Sequence, residues 1–506
     1  MTPPSQPHGP SLARQDTLFL FACLLCAVPV LASYYPAMVD MPQHAAQVSA
    51  VRRLLAGSGP FLELYELNWF TPYWLGYGLV LLLAEAVGIV WAFKLVLAAA
   101  VCAFPWAAGR FCRRMGCPPS WNWLLLPLPF GFAYQWGFFN FIVAAPFGFL
   151  FLHALLDLRE HRGWKPYLKV ALWLHLLFFA HVLTAAFFCI LAGLLLASPW
   201  KGLGAWIRRC LPIAAIVPVA VAWVLISLHE SPTARTPLGW SLGLHRLTGF
   251  LPSLVSAPTL RAGQLLGLLV LAVPFLWGAR LRREPGAWAP FVAYVAWMLA
   301  FPQVVGGTFF TYERFGLFGL PLYLACFTTD ASATTPVRRR TVAAGLVLVS
   351  LAMLGWHGIR ASIFDREATA YRAVMEHAEP NKRILLMTFT PTSRASYAPL
   401  MLHMGCWYQA EKDGLCEFNF AGNWVTPARF RESATRIRQG FEWLPHTFDW
   451  PLHDGEAYDY YLVKHPESAD SWLREKSGGA LRLLARKGEW QLYTQAGERP
   501  AQEATR

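Results

Sequence analysis

The chain of 506 residues is 56% hydrophobic and only 14% charged, far below the roughly 25% charged residues of an ordinary soluble domain, which excludes a wholly soluble protein. Its net charge of +13 does not mark a nucleic-acid binder, because the excess is local: residues 1–359 hold 24 Lys and Arg against 11 Asp and Glu, while residues 360–506 hold 19 of each. The ten cysteines mostly sit inside apolar runs as small hydrophobes, Cys23-Leu24-Leu25-Cys26 among them, so ligand spacing indicates no metal.

Apolar runs of about 17 to 20 residues recur up to residue 359, each able to cross a core of about 30 Å at about 1.5 Å per residue. They predict an α-helical polytopic membrane protein of about 11 to 12 hydrophobic spans over 1–359, followed by a small α/β domain over 360–506. The first run, roughly 17–35, reads as a retained span, since no clear small-x-small cleavage site precedes Asp40.

A first outward loop, 36–69, then carries Val39-Asp40-Met41-Pro42-Gln43-His44-Ala45-Ala46. Asp40 suits a helix N-cap and Pro42 a first turn, and AAQVSAVRRLLAG reads as an amphipathic helix stopped at Gly57-Ser58-Gly59-Pro60. Asp40 and His44, four residues apart, would share one face. On the plain reading Asp40 only caps a helix lying on the membrane, and His44 is a polar surface residue.

Five basic clusters punctuate the later runs: Arg110/Arg113/Arg114, Arg159/Arg162/Lys165/Lys169, Lys201/Arg208/Arg209, Arg280/Arg282/Arg283 and Arg338/Arg339/Arg340. Short basic loops beside spans mark the cytoplasmic side. An even number of crossings must therefore separate neighbouring clusters. The runs near 121–135 and 138–157, broken at Gln135-Trp136-Gly137, satisfy this, as do 211–228 with 262–279, and 287–301 with 315–328. The run between Lys169 and Lys201 is too long for one span and is expected to turn near His181. One last span, 341–359, puts the tail opposite the arginines. Residues 70–88 are expected to be re-entrant or interfacial, because Pro72, Gly76, Gly78 and Glu85 make them a poor span. The loop around Asp40 then faces the same compartment as the tail.

In the tail, KRILLMTF, YDYYLVKH and LRLLARKGEWQLYTQ read as strands, and segments near 366–378, 396–411 and 427–438 as helices. Cys406 and Cys416 lie near each other there, and can pair if the tail is extracytoplasmic.

This layout, with VDMPQHAAQV, the GFFNF turn and TYERF, resembles the GT-C superfamily of glycosyltransferases. The resemblance implies a multi-pass protein of a bacterial cytoplasmic membrane, partnered by the bilayer and a polyprenyl-phosphate sugar donor, and a lipid, glycan or protein acceptor on the outer face. Many members carry a paired acidic motif in the first loop. Here Met41 follows Asp40, so the pair is absent and dependence on a divalent metal stays open.

The chemistry of such a transfer needs a base for the acceptor hydroxyl and donors for the departing phosphate. Asp40 is the expected base, and Arg314 and His44 the expected donors. Arg314, in GGTFFTYERF, stands between two spans on the side where basic residues are few; a local pair with Glu313 or an anchor beside Tyr312 is the alternative. His181 in FFAHVLTA sits at a turn where it can face a cavity, though a hydrogen-bonded helix-packing histidine is the reading favoured there, and Asn140 in WGFFNFIV sits where an extracytoplasmic turn is expected. Glu63, in FLELYELNWF, can supply a second carboxylate. Arg246 with His245 suits an anionic headgroup or is merely wet. In the tail His403, Trp407, Tyr408 and Asp413 can shape an acceptor surface, or simply pack a core. Two rival readings are a transporter or lipid flippase, which should line several spans with facing charges, and a non-catalytic scaffold with a binding tail.

Overall fold

Proline and glycine decide which of the apolar runs become long helices. In a computed structural model describing residues 10–160, 164–230, 237–257, 259–330, 333–431, 433–434 and 440–497, three helices are long and apolar enough to cross a membrane: Trp74–Arg114, Phe139–Glu160 and Pro336–Met375. Arg162 and part of the segment 427–438 lie outside the described residues. The run 121–135 does not become a continuous span. Pro119, Pro127 and Pro129 confine it to 3-10 turns at Pro119–Leu125 and Leu128–Phe130 and a short helix Phe132–Trp136. The run 211–228 is likewise broken, into Leu203–Ala214 and a second helix from Val217, bent by 62°. Other apolar helices are short, among them Leu260–Leu276, Pro285–Ala300 and Gly316–Leu324. The expected spans are thus apolar segments, many of them too short or too bent to be single straight crossings.

The 31-residue run divides where expected, into Trp164–Ala180 and Val182–Ala197, with the His181 ring accepting a cap bond from the Thr184 amide at 3.3 Å. The region 70–109 belongs to one long helix interrupted at Gly88, whose φ of 77° is non-helical. Its first half lies along the first-loop helix, tied by an Arg52–Glu85 ion pair at 2.8 Å.

The basic clusters meet at one end of these helices. Arg114 pairs with Glu160, Arg159 donates to the Ser198 carbonyl, Arg209 to those of Leu196 and Pro199, and Arg282 to those of Met115 and Phe327.

Nine short strands occur among the described residues: β1 Tyr65–Leu67, β2 Ala279–Leu281, β3 Phe327–Thr329, β4 Arg383–Thr388, β5 Leu415–Cys416, β6 Ala428–Phe430, β7 Tyr460–Lys464, β8 Leu481–Lys487 and β9 Trp490–Gln495. The tail builds a mixed five-stranded sheet in the order β5-β4-β7-β9-β8, with β5, β4 and β7 parallel and β9 antiparallel to both β7 and β8. Its three apolar strand segments are those expected. The helix Pro336–Met375 runs unbroken through residue 359 into the tail and packs on this sheet, Tyr371 against Trp490 at 5.2 Å. Where a helix was expected from 427, the backbone instead forms β6, because the first loop offers it a partner: β6 pairs antiparallel with β1, Tyr65 opposite Phe430.

That ladder is part of a wider docking of loop on tail. The first-loop helix Met41–Ala56 ends at Gly57 (φ 62°) as its sequence predicts, yet it does not lie on a surface: Met41 through Val51 are buried. Its polar side chains bond to the tail. Ser49 donates to the Gln409 carbonyl at 2.8 Å, Gln409 donates back to Ala46, and Gln47 accepts from the Ala428 amide. Cys406 and Cys416 stand as thiols with Sγ atoms 3.2 Å apart.

Candidate active site

Asp40 stands at the N-cap position of the first-loop helix but its carboxylate makes no cap bond. The main chain explains why. Val39 and Asp40 donate their amides to the carbonyls of Gln135 and Trp136, at 3.1 and 3.0 Å, which ties the helix entrance to the turn before Phe139–Glu160. Gly137 makes that approach possible: with φ of 91°, a Cβ there would meet the Asp40 amide nitrogen at 2.6 Å. The freed carboxylate lines a cavity of about 600 Å³ shared by His44, Asn140, His181, Arg314 and His403. The first-loop helix, the Gly137 turn, the His181 break, the loop before Gly316 and the tail all contribute to it.

Arg314 is buried at 4% exposure. Its Nε and Nη2 donate to the carbonyls of Phe310 and Phe309 at 3.0 and 2.6 Å, and its guanidinium lies 3.9 Å over the Phe138 ring. No ion pair joins it to an acidic residue among the described residues, so the expected alternative of a Glu313 pair is not formed; Glu313 instead accepts from Gln303 at 2.9 Å. His181 Nε2 lies 3.5 Å from the guanidinium, while its Nδ1 accepts from the amide of Thr184. His181 thus stands between the Thr184 cap and the Arg314 guanidinium, which can only donate, at the wall of the cavity.

His44 does not act as the expected cationic donor. Nε2 is 3.0 Å from the Gly137 carbonyl and Nδ1 is 2.5 Å from the Tyr77 hydroxyl, so one nitrogen donates and the other accepts. Burial pushes its pKa down to about 3, and the ring is neutral. It braces the Gly137 turn.

Of the residues nearest Asp40, the sequence marked His403 only as part of an acceptor surface and did not mark Glu442. His403 Nε2 is 3.6 Å from Asp40 Oδ1, and His403 Nδ1 is 2.6 Å from Glu442 Oε1. Gln43 donates to the Phe418 carbonyl beside the same imidazole. Burial is the main cause raising the Asp40 pKa from 3.8 to about 6, against the pull of His403 and Arg314, which favour the carboxylate. Trp407 and Tyr408 are core residues, and Asp413 pairs with Arg53 at 2.7 Å. Glu63 is exposed on the turn Leu62–Leu64, outside the cavity.

Arg246, Tyr312 and Glu313 line a second cavity of about 610 Å³, reached by Arg314 as well and otherwise walled largely by apolar groups such as Phe132, Val255 and Leu260. Arg246 is not wet: it is buried at 5% exposure, donates to the carbonyls of Ser241 and Met298, and stacks 3.8 Å over Tyr312.

Among the described residues no group of three or more His, Cys, Asp or Glu side chains is arranged to hold a metal ion. Asp40 is flanked by an imidazole and has a guanidinium, not a second carboxylate, in its cavity. Such a donor set suits a hydroxyl or anionic ligand better than a divalent cation.

No protein-family model and no curated protein sequence matches this chain. Solved structures do. The arabinofuranosyltransferase AftD from Mycobacteria matches with a TM-score of 0.55 and 14% identity over 96% of this chain, which spans only 40% of that one. ArnT from Cupriavidus metallidurans in the apo state matches with a TM-score of 0.52 and 12% identity, covering 95% of this chain and 98% of the other. The chain is an integral multi-pass membrane protein that shares, over nearly its whole length, the fold of AftD and ArnT.

Proposed function

We propose that this protein is a membrane glycosyltransferase that moves a sugar from a polyprenyl-phosphate carrier to an acceptor hydroxyl, with Asp40 as general base. One observation carries the reading: a carboxylate released from helix capping and a buried guanidinium with no acidic ion-pair partner among the described residues face the same cavity. In the reaction the acceptor oxygen attacks the anomeric carbon, its proton passes to Asp40, and the bond from that carbon to the phosphate oxygen breaks. Charge developing on the leaving phosphate is stabilised by the Arg314 guanidinium, beside which His181 lies, in a site poor in water. Arg314 also reaches the second cavity, whose apolar walls suit the first isoprene units of the carrier. The tail and first loop lie on the extracytoplasmic side, where a lipid, glycan or protein acceptor arrives.

The test uses the full chain in lipid nanodiscs with a synthetic undecaprenyl-phosphate-linked pentose, chosen because one structural match is an arabinofuranosyltransferase. Release of undecaprenyl phosphate is expected from the wild type, with a loss of at least about a hundredfold in Asp40→Asn. Binding of undecaprenyl phosphate should weaken about tenfold or more in Arg314→Met. Unchanged turnover in Asp40→Asn would remove the base, and unchanged binding in Arg314→Met the phosphate site.

A further inference from the structure

We propose that the tail supplies a working part of this site: the Glu442–His403 pair is a positioning dyad that keeps Asp40 ionised and aimed at the acceptor hydroxyl. The proposal rests on the reading of Asp40 as the base. It adds that chemistry depends on two side chains, at 403 and 442, far along the chain from Asp40 and brought in only when the tail docks on the first loop.

Burial and geometry carry it. Glu442 and His403 have side-chain exposures of 1% and 4%, in a setting of Phe418, Phe441 and Trp443 that ordinary apolar packing would fill at less cost. Glu442 Oε2 has no hydrogen-bond partner among the described residues, and the imidazole is the group paired with this carboxylate there. With Nδ1 held at 2.6 Å by Glu442, the Nε2 proton is directed outward, and the group it meets, at 3.6 Å, is Asp40. That separation is longer than a hydrogen bond and short enough for strong coupling in a dry site; such contacts tighten when substrate is present. The arrangement alternates carboxylate, imidazolium and carboxylate, with the Arg314 guanidinium as a fourth charge on the same cavity.

The titratable groups around it are few. Asp40 and neutral His44 face it from the first loop, Tyr73 and Tyr77 from the long helix, His181 from the break after Ala180, and Arg314 from the loop before Gly316. The tail adds Glu442 and Glu417 and the thiols of Cys406 and Cys416. Burial works against a charged His403, but Glu442 and then Asp40 outweigh it and raise its pKa. Both carboxylates thus favour the imidazolium, and its charge opposes the protonation of Asp40 that burial favours. During transfer the acceptor's proton goes to Asp40, while His403 retains its own.

A merely structural pair would lower activity equally at every pH; a positioning dyad moves the acid limb. For pentose-linked undecaprenyl phosphate cleavage, the acid limb of kcat/KM is expected to shift upward by about one pH unit in His403→Gln and by less in Glu442→Gln, with activity recovering in alkali. A uniform loss without a shift would overturn the dyad and leave Asp40 standing. Full activity in Asp40→Asn would instead overturn the base itself. A second measurement needs no substrate: in the full chain labelled with 13C-histidine, the resonance lost in His403→Gln should titrate above the ordinary histidine range, and lower in both Glu442→Gln and Asp40→Asn. A resonance titrating normally and unmoved by either variant would also overturn the dyad.

Discussion

A carboxylate at the start of a helix ordinarily accepts bonds from the free amides there, which lowers its pKa and stabilises the fold. Asp40 gives up that role, and the consequence is measurable. Its folded-state pKa near 6 lies above the ordinary 3.8, so the native state binds this proton more tightly than the unfolded chain. Stability from this group is fully present below about pH 3.8 and is lost as pH rises through about 6. Asparagine never ionises. Asp40→Asn is therefore expected to be more stable than the wild type at pH 8, by about 1 to 2 kcal/mol after discounting for the carboxylate's 16% side-chain exposure, and equal to it near pH 3.5. Melting in nanodiscs at both values checks the sign. A capping Asp40 would give the opposite result at pH 8. At this scale the sequence was informative wherever a polar residue interrupts an apolar run, because water or a cavity is what such a residue needs: Asp40, Asn140, His181 and Arg314 all line one chamber. It was silent on Glu442, one acidic residue among 19 in a polar tail, since nothing local separates a buried carboxylate from a wet one.

The elements that hold this chamber are joined by backbone, and their tolerance is small. The first-loop helix reads as amphipathic, and its polar face was expected to be wet. Gln47 and Ser49 are polar because the tail covers them, a distinction that composition cannot make. In the same way residues 428–430 are a strand only because β1 lies beside them. The Gly137 turn is where loop and helix meet most closely. Gly137→Ala is strained twice, by its φ of 91° and by a Cβ placed 2.6 Å from a main-chain nitrogen that cannot swing aside. The expected cost is about 1 to 3 kcal/mol, with Asp40 displaced from the cavity. The variant should therefore melt lower and lose pentose release, whereas Gly78→Ala, at a helical position with open space around it, should do neither. Equal behaviour of the two variants would show that the contact with Asp40 is not needed.

Over the whole molecule the question is which ends of the helices share a compartment, and contacts within the chain constrain the answer. Residues 65–67 and 428–430 are hydrogen-bonded neighbours, so no bilayer can lie between the first loop and the tail. Arg113 and Arg114 are at the far end of the long helix. From Ile89, just past the Gly88 break, to Arg114 the rise is about 39 Å, more than the roughly 30 Å of a hydrocarbon core. The helix Phe139–Glu160 repeats the pattern, starting beside Asp40 and ending beside Arg114. The site and the basic clusters are thus at opposite ends of the same helices, and on the proposed function the arginine-rich ends are the cytoplasmic ones. Reporter fusions are expected to place residues near 60 and near 430 outside and residue 112 inside. Active reporters of the same type at 60 and 112 would mean that Ile89–Arg114 does not cross. Opposite signals at 60 and 430 would break the chamber in two, and with it the meeting of Asp40 and His403 on which the chemistry depends.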